Sequence, residues 1–96
     1  MKVFLDDMRE TPTGWIRCYW PNEVITLLKA GGVDEISLDH DLGDDFIGTG
    51  YDVIKWIEEA VYTRGFIPPV IHVHSANGVA RDKMLAGIES IMKDRR

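Results

Sequence analysis

Three short stretches of this chain gather residue types that do chemistry. Asp6-Asp7 closes an apolar run near the N-terminus, Asp39-His40-Asp41 closes a second, and His74-Ser75-Ala76-Asn77 closes a third. Packing gives a buried strand no reason to end in Asp-His-Asp, because such groups cost free energy to bury unless they are paired, hydrogen-bonded or bound to a metal. Carboxylates at this density suit a hard cation. Mg²⁺ with retained waters is the natural occupant, with Ca²⁺ or Mn²⁺ as alternatives. Asp6, Asp7, Asp39 and Asp41 are the candidate metal ligands. His40 and His74 are candidate acid and base, since imidazole titrates near neutral pH, and Asp39 is a candidate nucleophile. Ser75 and Asn77 can donate to an anionic oxygen, while Arg9 and Arg81 offer the positive charge a phosphate needs. Asn77-Gly78 also precedes a helix N-terminus, a ready anion site.

Each of these residues has a plainer reading. Asp6 or Asp7 can cap a turn, Asp39 can bond loop amides, and Asp44 and Asp45 can be solvated loop charges. His72, inside an apolar run, reads as a packed strand residue. Ser75 and Asn77 read as turn and cap residues, and Trp15, Trp20 and Trp56 as core or rim rather than a stacking platform. Arg17 either snorkels to the surface or reaches the site. What favours the chemical reading is where the residues fall once the elements are laid out.

Lys2 to Leu5 is apolar without alternation, as in a parallel strand covered on both faces. Met8 to Gly14, with Pro12, reads as loop. Trp15 to Trp20 is aromatic and β-branched, and predicts a second strand. Pro21-Asn22-Glu23 opens a helix with Val24, Leu27 and Leu28 on one face, and Gly31-Gly32 stops it. Glu35 to Leu38 is a strand, and Gly43 to Gly50 a flexible acidic loop. Thr49 caps a helix whose apolar stripe is Val53, Ile54, Ile57, Ala60 and Val61, ending at Gly65. Val70 to His74 is the fourth strand. A last helix runs from Val79 to Lys93, with Met84, Leu85, Ile88, Ile91 and Met92 as its buried face. Lys93, Arg95 and Arg96 complement its dipole.

This alternation predicts a small, doubly wound, mostly parallel four-stranded α/β sheet with about three helices, in a single domain over 1–96. The link from Asp6 to Trp15 is short for a parallel crossover. About eight extended residues at ~3.3 Å each still span it, so the second strand is predicted parallel, with an antiparallel partner as the alternative. In an open parallel sheet, ligands bind beyond the carboxyl ends of the strands. The first, third and fourth strands all end there in the residues named above.

Composition narrows the function. The net charge of −5 argues against non-specific binding to DNA or another nucleic-acid backbone. Hydrophobic residues at 45% and charged residues at 28% are ordinary for a soluble globular chain. The single cysteine, Cys18, allows no internal disulfide and fits a reducing cytoplasm. The acidic N-terminus is unlike a signal peptide, and no apolar run approaches the ~20 residues of a membrane span.

Leu5-Asp6-Asp7-Met8-Arg9 with Pro12 and Gly14-Trp15, Ser37-Leu38-Asp39-His40-Asp41-Leu42-Gly43, Thr49-Gly50-Tyr51-Asp52 and His74-Ser75-Ala76-Asn77 together resemble the cyclic-phosphate processing receiver-like domains. The resemblance spans nearly the whole chain. It implies a truncated receiver (flavodoxin-like) fold, distantly related to response-regulator receivers, in which Asp6-Asp7, Asp39 and Ser75 fall at the acidic pair, the phosphoacceptor and the hydroxyl positions. The receiver lysine after a fifth strand has no counterpart, and the first helix is missing. After Asn77 the run is Gly78-Val79-Ala80-Arg81, without the proline expected there, which leaves the aim of Arg81 open. The resemblance further implies metal-assisted action on, or binding of, a cyclic phosphate in a nucleotide or at an RNA end. A sequestering module and a protein-interaction domain are the alternatives.

Overall fold

The structure, a computed structural model, describes residues 1–94. Four strands form one parallel sheet: β1 (Lys2–Leu5), β2 (Trp15–Cys18), β3 (Glu35–Leu38) and β4 (Val70–Val73), in the order β2-β1-β3-β4. Three helices alternate with them: α1 (Pro21–Ala30), α2 (Gly50–Arg64) and α3 (Gly78–Asp94). The registers are in step, with Leu5 beside both Cys18 and Leu38, and Leu38 beside Val73. The C-terminal ends of all four strands therefore lie level along one edge. The arrangement is a small receiver-like α/β fold.

β2 is parallel to β1, and the loop between them makes the return without a helix. The strand is shorter than predicted. Trp20 is the N-cap of α1, and the Glu23 carboxylate accepts the Tyr19 and Trp20 N–H groups at 3.0 and 2.9 Å. That helix start takes the last two aromatic residues out of the strand. α2 begins in the same way. Asp52 accepts the Thr49 N–H at 2.9 Å, and Gly65 ends the helix in the left-handed conformation.

Val3, Leu5, Ile36 and Leu38 alternate onto the sheet face that joins one core with Val24 and Leu28 of α1, with Val53, Ile54, Ile57 and Val61 of α2, and with Met84 and Ile91 of α3. All five residues of the predicted α2 stripe are buried. The predicted α3 face needs correction, because Leu85 and Met92 are exposed and Ala80 is buried instead. α3 flanks the edge strand β4 and leans on α2, so a narrower stripe is covered. It also starts one residue earlier, at Gly78.

The opposite sheet face carries Lys2, Phe4, Trp15, Glu35, Ser37 and His72. His72 is not packed in the core as its sequence context suggested. Its ring is exposed and lies 2.5 Å from the Glu35 carboxylate. No helix among the described residues covers this side of the edge strand. Among the described residues, no helix is long and apolar enough to cross a membrane. Arg95 and Arg96 lie outside the described residues.

Candidate functional site

β1 and β3 deliver the site, because both end level and both end in carboxylates. The chain from Asp6 turns at once into a loop. Asp6 Oδ1 accepts the N–H groups of Met8 and Arg9 at 2.8 and 2.9 Å. Its other oxygen lies 3.0 Å from Nε2 of His74. Asp6 is 1% exposed. Burial opposes its charge, but the two backbone donors and His74 outweigh it and hold its pKa below the usual 3.8.

Asp39 lies one strand over and in the opposite situation. Burial is the main influence on it, and the Asp6 charge adds to that. Together they outweigh the His40 N–H at 2.8 Å, the His74 ring and the Ser75 hydroxyl. Its pKa is raised. Two neighbouring carboxylates with opposite shifts are what like charges in one crowded place produce.

His74 follows β4 directly, one residue beyond the strand, and its ring folds back over the sheet. It stacks on Phe4 with centroids 4.4 Å apart and planes 2° from parallel. Nδ1 lies 2.7 Å from the Ser37 hydroxyl. With Nε2–H donated to Asp6, Nδ1 accepts from Ser37, so both ring nitrogens are engaged within the protein. Arg9 lies across the same corner. Its guanidinium donates to the His74 carbonyl and comes within 3.9 Å of Asp6.

Asp6, Asp7, Met8, Arg9, Asp39, Asp41, Gly43 and Ala76 line a pocket of about 420 Å³ at this edge. All four predicted metal ligands are in its wall. Ligand atoms of Asp6, Asp39 and His74 lie within 4.8 Å of one another. This donor set fits a hard divalent cation, since the carboxylates outnumber the one cationic side chain in the lining and that side chain is already held.

The other candidates lie around this centre. His40 Nδ1 is 2.8 Å from Asp41 Oδ1, and Nε2 makes no hydrogen bond among the described residues. Ser75 is buried and accepts the Asn77 N–H at 3.2 Å. Asn77 Oδ1 accepts the Ala80 N–H at 3.2 Å, capping α3, while its amide reaches Asp41 at 3.4 Å. Arg81 is exposed on the first turn of α3 and, like His40, Ser75 and Asn77, does not line the pocket. Arg17 does not reach the site. It bonds Thr11 at 2.8 Å and lies over the Tyr19 ring.

Gly50 sets the start of α2 against the end of β3. A Cβ there would lie 1.9 Å from the Asp39 carbonyl oxygen, so only glycine lets α2 start against the end of β3. Gly43, at φ +99, carries the loop past Asp7. Ser37 and Phe4, which seat the His74 ring, were missed in the sequence. The available signal was a lone hydroxyl between Ile36 and Leu38 on an otherwise apolar strand.

The family model of the cyclic-phosphate processing receiver domain matches residues 1–90. The chain belongs to that family. No match was found among curated proteins or among solved structures. This member of the cyclic-phosphate processing receivers gathers an acidic and histidine cluster, Asp6, Asp39 and His74, at the C-terminal edge of its sheet.

Proposed function

We propose that this domain binds a divalent cation, Mg²⁺ by preference, in the Asp6–Asp39 pocket and uses it to hydrolyse a cyclic phosphate carried by a nucleotide or an RNA end. One observation carries the reading. Four carboxylates wall one pocket, and its single guanidinium already donates to the His74 carbonyl and pairs with Asp6. A phosphate approaching such a pocket meets repulsion unless a cation stands between.

Asp39 is the first choice as a ligand, with Asp6 and His74 atoms within 4.8 Å of it and Asp7 and Asp41 in the same pocket wall. Asp6 already accepts hydrogen bonds on both oxygens and contributes one remaining lone pair and its charge. A bound Mg²⁺ would supply charge neutralisation at the phosphoryl oxygens and a more acidic water. Hydrolysis adds a water oxygen to phosphorus, breaks one P–O ester bond and leaves an alkoxide that needs a proton. His40 is the group to move that proton, since its Nε2 is free and Asp41 holds its other nitrogen. His74 holds and orients Asp6 rather than meeting the substrate. Arg9 fixes the same corner. Asn77 steadies Asp41, and Arg81 attracts the anion from the rim.

The engagement of both His74 nitrogens favours one second reading, a module that binds the ligand and leaves it intact. Incubating the protein with Mg²⁺ and cyclic nucleotides, then separating opened monophosphate from intact ligand, tests both. Product that needs Mg²⁺ and His40 supports the hydrolase. Tight binding with the ligand recovered whole supports the sequestering module.

A further inference from the structure

Two of the three loops that wall the acidic pocket each carry a large apolar side chain left in water. Met8, in the pocket lining, is 86% exposed. Phe46, three residues beyond the pocket-lining Gly43, is 102% exposed. Neither sits on slack chain. The Met8 N–H is bonded to Asp6 at 2.8 Å. The Phe46 N–H is bonded to Asp44 Oδ1 at 2.9 Å, and the Ile47 and Gly48 N–H groups close the turn on the Asp44 carbonyl. Gly48 is buried against Pro21, which anchors the far end. Three residues of chain span at most ~10 Å, so the Phe46 backbone lies within that reach of the pocket wall at Gly43.

Other phenylalanines of this chain find ring partners: Phe4 packs on His74 and Phe66 on Trp56. An ordered turn that instead holds a ring wholly in water presents a face for something else. Asp44 and Asp45 flank it and the chain carries a net charge of −5, which disfavours a polyanion or an anionic membrane as the occupant. A flat heterocycle suits both an aromatic face and a polarisable thioether.

We propose that Phe46, with Met8, forms the specificity surface of the pocket and contacts the base of a nucleotide whose phosphate lies among the carboxylates. The assignment rests on the pocket being a cyclic-phosphate site. The test measures binding in Mg²⁺ of two probes with the same phosphate ring: adenosine 2′,3′-cyclic phosphate and glycerol 1,2-cyclic phosphate, which has no base. The wild type should prefer the nucleotide by about tenfold, the scale of one base–aromatic stack. Phe46→Ala should bring that ratio towards one, Met8→Ala should lower it less, and Phe46→Trp should keep it. A ratio near one in the wild type, or an unchanged ratio in Phe46→Ala, overturns the base contact and leaves the cyclic-phosphate reading standing. Binding of neither probe by the wild type overturns that reading, and this one with it.

Discussion

The ends of β1 and β3 are neighbours, level with each other and closed by the same residue type, yet the two aspartates are placed in opposite ways. Asp6 is buried and surrounded by donors, namely two backbone N–H groups and the His74 ring. Asp39 is part-buried, has one close backbone donor and lies beside the Asp6 charge. The first is a carboxylate whose charge the fold has neutralised with its own dipoles. The second is a charge the fold has left short of partners. Hydrogen bonding makes Asp6 a strut of the corner, and under-satisfaction makes Asp39 the place where, on the proposed reading, an external cation would gain most.

Four changes probe that contrast, in order of expected size. Gly50→Ala should be the most damaging, costing about 4 kcal/mol in denaturant unfolding, because the new methyl would lie 1.9 Å from the Asp39 carbonyl. It should also weaken metal binding by displacing the end of β3 while leaving β1 in place. Asp6→Ala should cost about 3 kcal/mol, since it strips the partners from the Met8 and Arg9 N–H groups and from His74 at once.

Asp39→Asn should do the reverse. Without metal it should raise stability at neutral pH, by less than about 1 kcal/mol. The sign follows from the raised pKa. The folded state holds its Asp39 proton more tightly than the unfolded state, so Asp39 carries no penalty below the ordinary 3.8. The penalty grows as pH rises from there and is complete above the raised folded value. The stability gap between the variant and the wild type should therefore open with rising pH in thermal melts. Asp6 runs the other way. Its contribution is present above 3.8 and is lost as pH falls through its lowered folded value. Asn77→Ala should have the smallest effect, about 0.5 kcal/mol for the lost α3 cap, with no change in this pH pattern because its side chain bonds Asp41 rather than Asp6 or Asp39.

The strand ends were legible in the sequence because Lys2–Leu5 and Glu35–Leu38 are apolar runs that stop at carboxylates. A parallel sheet then brings those stops to one edge. The helix starts at Pro21 and Thr49 were legible from their capping residues. What lay beyond reach was side-chain direction. His74 belongs to the corner by sequence position, but only its turn back over Phe4 towards Ser37 shows that both ring nitrogens are engaged. His72, two residues earlier, looked like core because its neighbours are apolar. It faces out because, among the described residues, no helix lies on that side of the edge strand. Leu85 and Met92 fit a helical stripe, and nothing in their spacing reveals that α3 lies at the margin of the sheet, where a stripe that wide has nothing to cover it.

The central claim is that Asp39 is a cation ligand in waiting beside an Asp6 already satisfied by the protein. Calorimetric titration of Mg²⁺ into the wild type and into Asp39→Asn tests it most directly. The wild type should show one saturable site, with a metal-induced gain in thermal stability, and the variant should lose both. Absence of Mg²⁺ binding by the wild type, or equal binding by the two proteins, would contradict it.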